Sequence, residues 1–192
     1  MKVTLVDHTE NPEEKIALFA SICYDSSTTP EANAKRIKKL MDVRHLATLR
    51  FAYATFKIDG ISRACSHQLV RHPHLSYLQE SQRYVKMDQA KFVYPERCTE
   101  EQIVTLYSSY SSALDQYDAL IASGLRKEDA RLVLPNATCT KIYVTGNMQA
   151  WTDFLKNRLD KAAQWEIRNV AECIHEELMK IAPNVFGGFD AS

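Results

Sequence analysis

Glycine is scarce in this chain, with only five among 192 residues. The sequence contains neither the G-x-G-x-x-G pattern of dinucleotide-binding turns nor the G-x-x-x-x-G-K-[ST] pattern of P-loops. Both patterns need glycine where the backbone approaches phosphate groups. We therefore expect any bound nucleotide to be held without these loops.

The chain also lacks an excess of charge of either sign. Twenty-four Lys and Arg residues balance twenty-four Asp and Glu residues, which gives a formal net charge of zero. Proteins that bind nucleic acid in general carry a basic excess, so we expect no nucleic-acid partner. A local basic pocket for a small anion remains compatible with this balance. No run of about 18 apolar residues is present, so we expect no membrane partner.

Paired cysteines and metal-ligand spacings are absent as well. The five cysteines form no C-x-x-C pair, and the first residues turn acidic after a short apolar stretch, unlike a secretory signal peptide. Free thiols are typical of a reducing compartment, so we expect a cytoplasmic protein. His67, His72 and His74 match no zinc-binding pattern, and we expect no metal site.

The length and the hydrophobic content of 45% suit one domain over residues 1–192. Helical and strand-like patterns follow one another without a regular βαβ alternation, which favours the α+β class, with a mixed or antiparallel sheet packed by several helices. Strands are predicted at 1–7, 51–58 and 137–145. Helices are predicted at 12–23, 31–42, 61–71, 100–123, 127–134, 147–158 and 161–182.

Some boundaries of these elements are marked by specific residues. Asn11 before Pro12 indicates a helix start, and Thr99 with Gln102 forms a capping-box pattern. Gly124 is expected to follow the end of the long helix. Asp59-Gly60 is expected to end the second strand. We expect a turn at 26–30 and an ordered loop at 74–84.

The most basic part of the chain lies between Arg63 and Arg83, where three arginines and three histidines face one acid, Glu80. Gln68 and Arg71 lie three residues apart on a predicted helix and share a face. Guanidinium groups match the geometry of phosphate, and Gln, Ser and His can fix a ring edge. On composition alone, a solvated surface run explains this segment equally well.

The run from Arg71 to Tyr84, RHPHLSYLQESQRY, resembles the signature of the flavin-dependent thymidylate synthases, the ThyX family. That signature begins Arg-His-Arg and reaches Ser-x-Arg-Tyr at the spacing found here. The preceding GISRACSHQLVRH is similar to the family too. So is the later block ARLVLPNATCTKIYVTGN, followed by AW, FL, Arg158 and AQWEIR. The resemblance covers about four-fifths of the chain, from His45 to the end.

The resemblance implies a homotetramer of α+β subunits with active sites built between chains. It also implies that dUMP is converted to dTMP, with FAD as the redox cofactor and NADPH and methylenetetrahydrofolate as co-substrates. This family holds FAD without a glycine-rich loop and uses no cysteine nucleophile, which agrees with the composition.

Two sets of site residues follow from the resemblance. Arg158 is expected to hold the uracil and to favour its N3-deprotonated form, and Ser81 is expected to position the substrate rather than attack it. The dUMP set is Gln68, Arg71, Gln79, Glu80, Ser81, Gln82, Arg83, Arg131 and Arg158. The flavin set is His45, Arg71, His72, Pro73, Gln79, Asn147, Gln149 and Asp153.

The sequence departs from the family pattern mainly on the flavin side. Pro73 replaces the second arginine of Arg-His-Arg, and Arg50-Phe51 stands where many members have Glu-His. Gln149 replaces a common arginine, and Asp153 replaces His or Asn. These departures motivate two alternatives. One is a related enzyme that hydroxymethylates dUMP or methylates another pyrimidine nucleotide, and the other is a nucleotide-binding protein without flavin chemistry.

Overall fold

A computed structural model describes residues 1–23 and 29–189 of the chain. These residues form two compact units. The first unit comprises residues 1, 59–68 and 78–142, and the second comprises 2–58, 69–77 and the residues from 143 onward. The predicted turn at 26–30 falls largely outside the described residues. One domain over 1–192 stays a prediction.

Four strands form one sheet: β1 Lys2–His8, β2 Tyr53–Ser62, β3 Leu75–Gln79 and β4 Cys139–Asn147. Their order is β1-β2-β4-β3. Backbone bonds such as Thr9 N to Tyr53 O and Glu80 N to Lys141 O fit antiparallel neighbours. Helices accompany this sheet, so the predicted α+β class is confirmed.

The described residues form eight α-helices and two short 3₁₀ helices, at Leu46–Phe51 and Arg131–Val133. None of the helices in the described ranges has the length and apolarity needed to span a bilayer. The α-helices are α1 Pro12–Ser21, α2 Pro30–Asp42, α3 Arg63–Leu69, α4 Glu100–Ala122, α5 Lys127–Ala130, α6 Met148–Arg158, α7 Trp165–Ile181 and α8 Pro183–Phe186.

The predicted helix boundaries are confirmed where a side chain or a glycine sets them. Thr99 Oγ1 accepts a hydrogen bond from Gln102 N, and Gln102 Oε1 accepts one from Thr99 N, so the capping box begins α4 as predicted. Gly124 follows α4 with a φ of 92°. Asn11 occupies the predicted N-cap position, but its side chain makes no capping hydrogen bond.

The predicted end of the second strand at Asp59-Gly60 is wrong. β2 continues to Ser62 because Gly60 adopts a φ of 79° within the strand, which a residue without Cβ tolerates. The helix predicted from 61 therefore begins later, at Arg63. Ser62 Oγ accepts a hydrogen bond from Cys65 N and so helps to fix this start.

The predicted loop at 74–84 is wrong in its first half, where β3 forms. Leu75 is buried and Tyr77 half-buried, whereas Ser76 and Leu78 are exposed, which is the alternation of a strand with one covered face. Leu78 is 77% exposed. An apolar residue on the solvent side hides the period of two in the sequence.

The core of the second unit is built around Trp151, which is fully buried. Its ring meets Phe56 and Phe154 edge-on, with centroids 5.0 and 5.7 Å apart. Its indole Nε1 donates to Ala54 O at 3.0 Å. This packing fixes α6 against β2, and α6 carries Asp153 and Arg158.

Gly146 in β4 leaves room for a neighbouring buried side chain of the second unit. A Cβ atom at this position would overlap Leu75 Cδ2 and would lie 3.4 Å from Ala150 Cβ. We expect Gly146→Ala to lower the free energy of unfolding by about 1–3 kcal/mol, because an added methyl forces a filled core to shift. Urea denaturation followed by circular dichroism measures this. Gly188→Ala is the control, since nothing lies within 4 Å of its added Cβ. Equal urea midpoints of unfolding for the two variants would contradict the packing explanation.

Candidate active site

The last residue of β3, Gln79, and the loop that follows it carry five of the predicted dUMP residues, from Gln79 to Arg83. They lie in the first unit together with Gln68 and Arg131. Gln79 is fixed by two hydrogen bonds, because its Nε2 donates to Ser66 Oγ at 2.9 Å and to Thr140 Oγ1 at 3.3 Å. The amide oxygen of Gln79 is not used in these two bonds. The side chain is therefore oriented before any ligand arrives.

Glu80 is engaged in an ion pair at the sheet. Its carboxylate lies 2.7 Å from Lys141 Nζ, and the Glu80 side chain is only 14% exposed. This hydrogen bond raises the pKa of Lys141. The role of Glu80 as a substrate contact stays a prediction, while its contact with Lys141 anchors the loop to β4.

Ser81 forms part of a tight turn. Its Oγ accepts from Arg83 N at 3.3 Å, and its carbonyl oxygen accepts from Val85 N at 2.9 Å. In the ranges that the structure describes, no histidine or carboxylate hydrogen-bonds the Ser81 hydroxyl. A serine nucleophile needs such a base, so the geometry favours a positioning role. Gln82, in the same turn, is buried.

Glu128 gathers several arginines of the first unit. Its carboxylate lies 2.9 Å from Arg83 Nε and 3.3 Å from Arg126 Nη1, and its carbonyl oxygen accepts from Arg131 Nε at 3.0 Å. The hydrogen bond from Arg83 is the largest of the effects that lower the pKa of Glu128. Two residues of the predicted dUMP set, Arg83 and Arg131, thus meet at one acidic residue.

Arg63 has an unsatisfied donor in the same unit. Its Nη2 donates to Glu80 O at 2.8 Å, but its buried Nε has no partner among the described residues. Burial, followed by repulsion from the Arg131 guanidinium, lowers the pKa of Arg63, while Glu80 raises it. A buried N–H group without a partner and a neighbouring like charge are both costly, and an anion between them would satisfy both.

In the second unit, Arg158 at the end of α6 contacts His72. Arg158 Nε donates to His72 Nε2 at 2.9 Å, and the His72 ring lies edge-on to Phe154 with centroids 5.0 Å apart. Burial lowers the pKa of His72, and so does the charge of Arg158, whereas Asp153 raises it. Residues from the predicted dUMP and flavin sets are therefore in direct contact.

A polar pocket of about 180 Å³ lies beside the start of α6. Three predicted flavin residues, Asn147, Gln149 and Asp153, line it together with Arg50 and His74. Arg50 Nε donates to Gln149 Oε1 at 2.6 Å. The guanidinium of this pocket thus comes from Arg50, one of the positions where the sequence departs from the family pattern.

Other predicted residues lie outside this pocket. His45, Arg71 and Pro73 are exposed residues of the second unit and are not among its lining residues. The pocket therefore brings together three members of the predicted flavin set, and the roles of all the predicted site residues stay predictions. Within the described ranges, no group of three or more His, Cys, Asp or Glu residues is arranged to hold a metal ion.

The sequence analysis did not identify Arg63, Glu128 or Arg50 as members of the candidate sites. Arg63 lies in the basic run that the composition identified, and Glu128 lies three residues from Arg131 on a predicted helix. Neither signal reveals which donor is buried without a partner. The contact between Arg50 and Gln149 joins residues 99 positions apart, so it has no local signal.

Comparison with known proteins gives the family. The family model described as "Thymidylate synthase complementing protein" matches residues 4–184. The flavin-dependent thymidylate synthase of Geobacter sulfurreducens is 41% identical, with 97% of this chain and 85% of the relative covered. The enzymes of the same name from Clostridium tetani and Pyrococcus furiosus are 35% and 37% identical; they cover 97% and 94% of this chain and 85% and 80% of their own length. The chain belongs to the thymidylate synthase complementing protein family, the family of the flavin-dependent thymidylate synthases.

Proposed function

We propose that this protein is a thymidylate synthase that methylates dUMP reductively. In the proposed reaction, dUMP, methylenetetrahydrofolate, NADPH and a proton give dTMP, tetrahydrofolate and NADP⁺, with FAD as the redox cofactor. Family membership and the names of the relatives support this reaction. The one structural observation that carries its nucleotide part is the unsatisfied Arg63 Nε beside Arg131.

The arginines of the first unit suit the phosphate of dUMP. A phosphate oxygen near Arg63 Nε would accept the unused hydrogen bond and would offset the repulsion between Arg63 and Arg131. Arg83 adds a third guanidinium, since its pairing with Glu128 leaves its side chain 56% exposed. Gln79 and Ser81 then bring an amide and a hydroxyl to the same loop.

Arg158 suits the uracil ring. Deprotonation of N3 places negative charge on the ring, and that charge makes C5 more nucleophilic toward the one-carbon unit. A guanidinium held at the ring edge stabilises this charge. The contact with His72 places the Arg158 guanidinium before the nucleotide binds.

The polar pocket of the second unit fits one part of a flavin cofactor. Its amides, the Arg50 guanidinium and the His74 ring supply donors for phosphate or ring oxygens. A pocket of about 180 Å³ is smaller than a typical ligand site, so other walls are needed for the whole cofactor. Bound flavin would supply the reducing equivalents, and this chain's residues would orient it.

We propose that a second copy of the chain supplies those walls, within a homotetramer. The second unit exposes an apolar group that includes Phe19, Ile22 and Phe51. The rings of Phe19 and Phe51 pack with centroids 4.9 Å apart while they are 41% and 62% exposed. Exposed apolar groups of this kind are typical of contacts between subunits.

We also propose a cytoplasmic location and no nucleic-acid or membrane partner. All five cysteines are free thiols, and Cys23 is exposed. Exposed thiols persist in a reducing compartment.

The mass of the nucleotide product tests the reaction. The protein is incubated with dUMP, methylenetetrahydrofolate, FAD and NADPH, and the product is analysed by mass spectrometry. We expect dUMP to gain one CH2, which corresponds to dTMP. A gain of CH2O, or reaction only with another pyrimidine nucleotide, would establish the first alternative. Colourless protein that stays without flavin absorbance after FAD is added, but is stabilised by dUMP, would establish the second.

The phosphate role of Arg63 is tested by comparing two ligands. We expect Arg63→Met to raise the dissociation constant of dUMP roughly 10- to 100-fold, because a charge-assisted hydrogen bond is lost. Deoxyuridine, which lacks the phosphate, should lose little affinity. Isothermal titration calorimetry measures both. Arg126→Met is the control because Arg126 lies in the same unit and pairs with Glu128 but is 82% exposed, and a change of less than about 2-fold is expected. Equal losses for dUMP and deoxyuridine would exclude a phosphate contact.

The role of Arg158 is tested by its removal. We expect Arg158→Ala to lower kcat/KM for dUMP about 100-fold or more, because the charge that develops on the uracil loses its counter-charge. Steady-state dTMP formation measures this, and flavin absorbance shows whether the cofactor site is intact. Lys156→Ala removes an exposed cation from the same helix and serves as the control. Similar activities of the two variants would remove Arg158 from the mechanism.

A further inference from the structure

We propose that His72 is a positioning residue for Arg158, which it holds through the unprotonated Nε2 of its ring. This inference rests on the proposed function, in which Arg158 binds the uracil of dUMP. It assigns to His72 a role distinct from the flavin contact that the family resemblance implies. It also gives nucleotide binding a dependence on pH.

The His72 ring is held in place on several sides. Leu75 N donates to His72 O at 3.2 Å, and the Tyr77 hydroxyl donates to the same oxygen at 2.9 Å. The ring meets Phe154, one turn before Arg158 on α6, edge-on. Backbone and ring are therefore both anchored. A fixed ring gives its Nε2 a fixed direction, and Arg158 Nε lies 2.9 Å from it.

The chemistry of the two side chains determines the protonation state of the contact. Arginine has only donors and stays charged, so His72 Nε2 must be the acceptor. The ring is then neutral, with its proton on Nδ1. Protonation of the ring would place two donors, both charged, against each other and would break the contact.

Among the residues that the structure describes, two charged groups act on His72, Arg158 and Asp153, and both lie on α6. Burial has the largest effect and lowers the pKa of the ring, the charge of Arg158 lowers it further, and Asp153 raises it. Together these effects place the pKa of His72 below the usual value of a histidine, so the ring is neutral at pH 7. The contact with Arg158 is present above the pKa of His72 and is lost as the pH falls through it.

The contact also determines which part of Arg158 meets a ligand. His72 accepts from Nε, so a uracil bound by Arg158, as proposed, would meet the edge that carries Nη1 and Nη2. That edge suits two adjacent acceptors, such as a carbonyl oxygen and a deprotonated ring nitrogen. A guanidinium that rotates freely would present this edge only part of the time. We therefore expect loss of His72 to weaken dUMP binding although His72 need not touch the nucleotide.

The first test concerns the contact itself and needs neither nucleotide nor turnover. The His72 ring is titrated by NMR in protein labelled with ¹³C at the histidine Cε1 position. We expect Arg158→Leu to shift the pKa of His72 upward, because both the repulsive charge and the donor are removed. Lys156→Leu, which removes a cation from the same helix without this contact, should leave the pKa of His72 unchanged. An unchanged pKa in Arg158→Leu would overturn the proposal.

The second test concerns positioning and uses dUMP affinity as a function of pH. We expect His72→Ala to weaken dUMP binding roughly tenfold at pH 8, because Arg158 loses its anchor. His72→Gln restores an acceptor oxygen near Nε2, so its affinity should exceed that of His72→Ala. A glutamine does not titrate, so the loss of affinity at low pH that His72 causes should be absent from His72→Gln.

The nucleotide phosphate also titrates, with a second pKa of about 6, so the informative quantity is the ratio of wild-type affinity to that of His72→Gln at each pH. We expect this ratio to fall as the pH falls. A constant ratio, or equal affinities of His72→Gln and His72→Ala, would overturn positioning even if the NMR contact is found. Absence of dTMP formation by the wild-type protein would contradict the proposed function, whereas the NMR and affinity results decide the role of His72 on their own.

Discussion

The antiparallel pairing of β2 with β4 is the interaction on which the candidate sites depend. Backbone bonds continue it beyond both strand ends, from Arg63 N to Thr138 O at one end and from Met148 N to Ala52 O at the other. α3 begins where β2 ends, and α6 begins where β4 ends. The register of one strand pair therefore determines where Arg63 and Asn147 lie. A slip by one residue would move each side chain to the opposite face of the sheet.

The candidate sites of both units contain arginines whose orientation is fixed by neighbouring groups before a ligand binds. Arg63 is held by a carbonyl oxygen, Arg131 by the Glu128 carbonyl oxygen, and Arg158 by an imidazole nitrogen. A guanidinium has five donors, so a bond to one or two of them fixes its plane. Ordering these long side chains in advance reduces the entropy that binding would otherwise cost. The zero net charge of the chain conceals this local organisation.

Most of the fold could be predicted from sequence wherever a local rule operates. The capping box at Thr99 and Gly124 after α4 each follow from a few neighbouring residues, and both are confirmed. β3 could not be predicted, because the exposed Leu78 obscures its alternation. The end of β2 was missed because Gly60 continues a strand that Asp-Gly usually ends.

The candidate site, like the fold, could be predicted from the sequence only in part. The motif located the loop from Gln79 to Arg83 and the residues Asn147 and Arg158, but no spacing shows that the Arg63 guanidinium has a buried donor without a partner. Nor does any local pattern pair Arg50 with Gln149. These features arise from contacts between distant segments. Only the folded chain brings them together.

Glu128 has a consequence for how salt acts on this protein. Arginines that are gathered for a phosphate usually attract dissolved anions when the ligand is absent, and those anions compete with it. Here a carboxylate of the chain itself, that of Glu128, pairs with both Arg83 and Arg126 and offsets one of their two positive charges. An incoming phosphate would therefore exchange with an internal counter-ion rather than with chloride. The affinity for a nucleotide should then depend less on ionic strength than the number of arginines alone would indicate.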